Sequence, residues 1–132
     1  MIKLIIACLA LIGGSAVAIQ SQINAALSKK VGLLESATIS FIIGALALFF
    51  LALFFGRGNL LTVFSVPKWQ LVGGLLGALF IVINIFSVNL IGVASTFMAV
   101  IIGQIVAGAI IDHFGLFGGA THPLNTTKLI AL

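Results

Sequence analysis

Three stretches of the chain, residues 4–28, 36–56 and 69–111, contain no Asp, Glu, Lys, Arg or His. A helix rises roughly 1.5 Å per residue and needs about 20 apolar residues to cross about 30 Å of hydrocarbon. Each of the first two stretches suffices for one crossing, and the third is long enough for two. Asn89, Gly92, Ser95 and Thr96 interrupt the third near its middle, which predicts two helices joined by a very tight turn near Gly92. The expected spans are about 4–27, 33–56, 69–91 and 95–111. The fold class is therefore all-α, a polytopic membrane helical bundle of four full transmembrane helices.

Composition supports this independently. The chain is 62% hydrophobic and 6% charged, against about 25% charged residues in soluble domains. Its 132 residues leave room for one transmembrane domain and no separate soluble one. The net charge of +4 is not a nucleic-acid footprint, because Lys3, Lys29, Lys30, Arg57, Lys68 and Lys128 stand at or near span ends, where long basic side chains reach headgroups. A lone Cys8 cannot form an intramolecular disulfide and reads as a small packing residue. Met1-Ile2-Lys3 followed by an apolar run and Ser15-Ala16-Val17-Ala18 has the look of a signal peptide. The apolar pattern continues to Leu27, a length suited to a complete span.

Between spans two and three, Arg57–Lys68 hold Gly58, Asn59 and Pro67, and Leu60–Phe64 are expected to lie on the membrane interface. Trp69 opens span three at headgroup depth, where tryptophan is favoured. Beyond Asp112-His113-Phe114-Gly115 a turn-rich segment leads to Lys128–Leu132, which reads as the first turn of a fifth span beginning at about residue 124. Either the chain is natively short or its last helix is not contained in this sequence.

Lys3, Arg57, Lys68 and Lys128 fall on the side of the N-terminus and Lys29 and Lys30 on the other, favouring a cytoplasmic N-terminus by two charges. So weak a bias makes dual topology, or pairing with an oppositely oriented partner, a working hypothesis.

Small residues recur at helical spacing, where they let backbones approach. Gly73 and Gly77 form a GxxxG pair, Ser36, Ser40 and Gly44 a similar ridge, and Gly103 and Ala107 another. Polar residues inside the spans are more informative, since a side-chain amide in hydrocarbon is costly unless it faces protein or water. Gln20 and Asn24 lie four apart, about 40° from each other round the helix. Asn84 and Ser87 continue the stripe of Gly73 and Gly77, while Gln104, Gly108 and Asp112 follow at steps of four. Such stripes either line a central cavity or hydrogen-bond between helices as structural glue. Glu35 and Asp112, the two carboxylates, are candidates for proton coupling, with helix-end capping or pairing as the alternative. The chain reads as no enzyme. His113 and His122 make a weak metal constellation, and nucleophile elbow, phosphate loop and paired carboxylates are lacking. Neither a metal nor another cofactor is expected.

Gln20-Ser-Gln-Ile-Asn24-Ala-Ala-Leu, Ile39-Ser-Phe-Ile-Ile-Gly44, Trp69 with Gly73-Gly74-Leu-Leu-Gly77, Gly103-Gln104 and Asp112-His-Phe-Gly115 together resemble the YdcZ-like family of small bacterial inner-membrane proteins, assigned to the drug/metabolite transporter superfamily. The resemblance runs in order from about Gly14 to Lys128. It implies a five-helix half-transporter, half of a ten-helix drug/metabolite transporter fold, working as a dimer of opposed halves. It also implies that Gln20, Asn24, Gln104 and Asp112 are cavity or structural residues. The sequence departs from the pattern by stopping where the fifth helix should begin.

The functional expectation is thus a multi-pass subunit of the bacterial inner membrane that moves a small organic solute, with or without protons, by alternating access. Its partners would be the bilayer and a second copy or a related, oppositely oriented subunit. Small multidrug exporters are similar in size, but their essential glutamate lies within span one, where this chain has no acid. A dual-topology fluoride channel is similar in length and in Gly73-Gly74-Leu-Leu-Gly77-Ala78, yet the arginine that should follow is absent. A non-transporting assembly protein is the third alternative.

Overall fold

The computed structural model describes residues 1–119. The expected fifth span from about residue 124, together with His122 and Lys128, lies outside the described residues. Four long helices, α1 (Ile2–Val31), α2 (Leu33–Phe55), α3 (Val72–Ile91) and α4 (Val93–Phe114), account for most of the chain. Short 3₁₀ turns cover Leu60–Phe64, Lys68–Leu71 and Leu116–Gly118. Each long helix, α3 counted with its leading 3₁₀ turn, is long and apolar enough to cross a membrane. The all-α polytopic bundle expected from the charge-free stretches is thereby observed.

Helix is the local answer for these segments because a bilayer has no water to satisfy an open backbone, so intrasegment hydrogen bonds outweigh the modest cost of the many Ile, Val and Phe. Three hydroxyls inside the spans follow the same rule and donate one turn back along their own helix. Ser15 Oγ bonds Leu11 O at 3.0 Å, Ser21 Oγ bonds Val17 O at 2.8 Å and Thr38 Oγ1 bonds Leu34 O at 2.8 Å. The 30 residues of α1 extend roughly 45 Å, well beyond the hydrocarbon. Its last turn carries Lys29 and Lys30, where cations complement the helix dipole.

Connections are of two kinds. Gly32 alone joins α1 to α2, with φ 107 and ψ 159, and Gly92 alone joins α3 to α4, with φ 81 and ψ 169. Both lie in a backbone region essentially reserved for glycine. Each glycine N–H donates to the carbonyl four residues earlier, Gly32 to Ser28 at 2.9 Å and Gly92 to Val88 at 3.1 Å. The tight turn expected at Gly92 is present, and Gly32 makes a second of the same kind. The longer connection after Phe55 is built from side-chain caps: Asn59 Oδ1 accepts from Leu61 N at 2.9 Å, starting the 3₁₀ turn over the segment expected at the interface. Its Leu60, Leu61 and Phe64 are exposed.

The chain forms two compact units, Met1–Val93 and a second from Ala94 onward. In the first, α1, α2 and α3 pack mutually. Every buried residue of that unit lies in the half of the helices nearest Gly32: Ser21, Asn24 and Ala25 on α1, Ser36 and Ala37 on α2, and Asn84, Ile85 and Val88 on α3. In the second, α4 ends at Phe114 because Gly115 takes the left-handed conformation that commonly terminates helices.

Candidate functional site

The core of the first unit is small and half polar. Ala25, Ala37, Ile85 and Val88 are its buried apolar side chains, while Ser21, Asn24, Ser36 and Asn84 are buried beside them. This inverts the usual soluble core and has a membrane reason. Lipid is as apolar as leucine, so the helices gain more from close approach of small residues and from interhelical hydrogen bonds than from burying aliphatic side chains.

Asn24 is the hub. Ser36 Oγ on α2 donates to the Asn24 backbone carbonyl at 2.8 Å, and Ser40 Oγ, one turn on, donates to Asn24 Oδ1 at 2.5 Å. These bonds set the register of the α1–α2 hairpin, with Gly32 midway between Asn24 and Ser40. A second link ties α3 to α1. Asn89 Nδ2 donates to Ser28 Oγ at 2.8 Å, and Ser28 Oγ donates to Ala25 O at 2.8 Å.

Three side-chain atoms in this region are covered and have no hydrogen-bond partner among the described residues: Asn24 Nδ2, Asn84 Nδ2 and Asn84 Oδ1. Asn84 is 2% exposed, so both ends of its amide are withdrawn from solvent without compensation. Each such orphan costs roughly 1–3 kcal/mol. A position that pays this in the folded unit is a candidate for function.

The residues singled out from sequence are distributed as follows. Asn24 and Asn84 are brought into the packed half of the first unit, and Ser87 is half-buried on α3 beside them. Gln20, one turn before Asn24, is exposed at the edge of the packed face of α1. Gln104 and Gly103 lie on α4 in the second unit, with Asp112 in its last turn. Glu35 is exposed in the first turn of α2, its carboxylate folded back over Gly32. It occupies the helix position from which an acidic side chain favours the positive end of the dipole. Of the helix-packing glycines in this unit, Gly44 and Gly73 face open space, while an added Cβ on Gly77 would stand 3.6 Å from Phe41 Cζ.

Ser21, Ser28, Ser36, Ser40 and Asn89 take a larger part than their sequence pattern conveys. In sequence, Ser36 and Ser40 form a small-residue ridge and Asn89 an interruption before a turn. Their four-residue spacing opposite Asn24, eight residues on the far side of Gly32, was the available signal. It becomes visible once Gly32 is taken as a one-residue hairpin.

A separate concavity of about 590 Å³ opens between α2 and α3. It is apolar, lined by Ala37, Phe41, Ala45, Ala78, Ile81 and Val82, and Thr38 at its edge has its hydroxyl committed to Leu34 O.

A sequence model of the family described as "Putative inner membrane exporter, YdcZ" matches residues 5–132, nearly the whole chain. No curated protein and no solved structure gives a match.

Proposed function

Because this chain belongs to the YdcZ family of inner-membrane exporters, we propose that it is one half of an antiparallel dimer that exports a small organic solute by alternating access between two rocking bundles. The coarse part of that statement, a multi-pass inner-membrane transport protein, follows from family membership and four helices able to span. The solute, the mechanism and the dimer are our reading.

The observation that carries it is the pair of covered amides, Asn24 and Asn84, with hydrogen-bonding capacity unspent inside helices long and apolar enough to span. Polar side chains within spanning helices mark substrate pathways in transporters, whose sites lie inside the membrane. Gln20, exposed one turn away, extends the set of uncharged amides available to a solute in this unit, and Gln104 on α4 is a candidate of the same chemistry within the second unit. Two further features favour opposed halves. Lys3, Arg57 and Lys68 stand at one end of the first unit and Lys29 and Lys30 at the other, a nearly balanced count that permits both orientations. Gly44 and Gly73 are open to a second copy in the way GxxxG-type ridges are used between helices. Glu35 and Asp112 are the carboxylates available to couple solute movement to protons.

The test is flux in proteoliposomes. Replacing Gln20, Asn24, Asn84 and Gln104 by alanine is expected to abolish solute movement, and unchanged flux removes the cavity assignment. Conductance in place of saturable flux would favour a channel. Parallel subunits in a lipid-embedded dimer structure would sink the opposed-halves arrangement.

A further inference from the structure

The unmet groups in the packed half of α1, α2 and α3 have a definite chemical character. Asn24 has its Nδ2 unmet while Oδ1 accepts from Ser40, whereas Asn84 has Nδ2 and Oδ1 both unmet. The unmet groups are thus N–H donors from two amides and one wholly unused carbonyl acceptor. A hydroxyl group matches both, accepting from an amide N–H while donating to Asn84 Oδ1.

Charge is missing from the same region. Among the described residues of this unit, Lys3, Lys29, Lys30, Glu35, Arg57 and Lys68 all stand at helix ends or in the connection between α2 and α3. Asp112 is likewise in the last turn of α4. A charged ligand drawn between Ala25, Ala37, Ile85 and Val88 would lose its hydration without an opposite charge to replace it, a penalty of several kcal/mol per ion.

Resting on the exporter reading above, we propose that Asn24 and Asn84 form a binding site for an uncharged, hydroxyl-bearing solute. Asn84 is the residue that gains most from binding, because neither end of its amide has a partner in the packed unit. The three atoms are covered, so a ligand reaches them only when the helices part, which is the movement that alternating access requires. The competing role, interhelical glue, makes the opposite prediction for stability. An amide that holds helices together loses that bond when it is replaced. An amide left unpartnered in an apolar setting is improved upon by leucine, which has a similar shape and no polar group to leave unmet.

The experiment uses the full chain purified in detergent, with asparagine side chains ¹⁵N-labelled, titrated with xylitol and its two charged analogues, xylonate and 1-amino-1-deoxyxylitol. Xylitol is expected to shift the Asn84 side-chain amide signal, with a Kd at least about tenfold lower than that of either analogue, the equivalent of about 1.4 kcal/mol. Asn84→Leu should abolish xylitol binding and raise the Tm by roughly 3 °C. No response to xylitol, or a stronger response to a charged analogue, overturns the ligand class. A lower Tm for Asn84→Leu overturns the functional assignment of the amide in favour of glue. These are binding and stability measurements, so either failure is distinct from failure of the exporter reading, which is decided by flux.

Discussion

The two halves of the first unit are made from the same three helices but solve different problems. Near Gly32 the helices carry serine, alanine and asparagine, and they touch. Away from it, α1 runs through Leu4, Leu9 and Leu11, α2 through Phe50, Phe54 and Phe55, and α3 through Leu75 and Leu79, all exposed. In water the second set would collapse and the first would stay wet. In lipid the order reverses, because aliphatic surface is already at home and only small or hydrogen-bonding residues have something to gain by meeting. The difference teaches that hydropathy locates these helices but does not say where they join.

The sharpest way to break the contrast is at the turn that creates it. Gly32→Val and Gly92→Val should each cost about 2–3 kcal/mol, measured by thermal unfolding in detergent, since valine resists this backbone region. At Gly32 the Glu35 carboxylate, the end of an exposed flexible side chain, swings aside at little cost, and at Gly92 an added Cβ has open space. A markedly larger loss at Gly32 would mean that Glu35 is held in place over the turn.

Next in size is the hydrogen bond that sets the hairpin register. Ser40→Ala leaves Asn24 Oδ1 without its donor and should cost about 1 kcal/mol. A double-mutant cycle with Asn24→Ala should return a coupling of similar size. A coupling near zero would place the register in Ser36 and the packing alone.

The smallest effects belong to the open half. Gly44→Ala and Gly73→Ala are expected to change the unfolding of the detergent-solubilised monomer by no more than about 0.5 kcal/mol. In a bilayer, energy-transfer measurements between labelled copies should show weaker association if these ridges meet a second copy. Gly77→Ala places a methyl in ordinary contact with Phe41 and should fall within the same range.

Much of this architecture was legible. The four spans came from charge-free length alone, and helix ends fell within a few residues of the expected ones because Lys29, Lys30, Glu35, Arg57 and Lys68 mark where the chain leaves hydrocarbon. The turn at Gly92 was also readable, from the break in the third apolar stretch, whereas Leu60–Phe64 was expected as an interfacial loop and its 3₁₀ turn emerged only in the structure. Asn24 and Asn84 stood out because an amide is conspicuous in an apolar run. Their sharing of one packed half was not readable, since periodicity fixes a residue's place round its own helix and leaves the choice of neighbour open. Ser36 and Ser40 show the same limit: serine serves equally as a small spacer or as a donor, and only a partner across the hairpin distinguishes the two.

What the sequence determined by itself was the medium, the four described helices able to span, their approximate lengths and the family, because all of these depend on composition along a single strand of chain. What tertiary structure alone decided was which polar atoms are spent and which are left over. Asn24 Oδ1 is used by Ser40, Asn89 reaches Ser28, and Asn84 has neither end satisfied. The physical reason is that a hydrogen bond is a property of a pair, fixed by the approach of two helices and not by the local preference of either one.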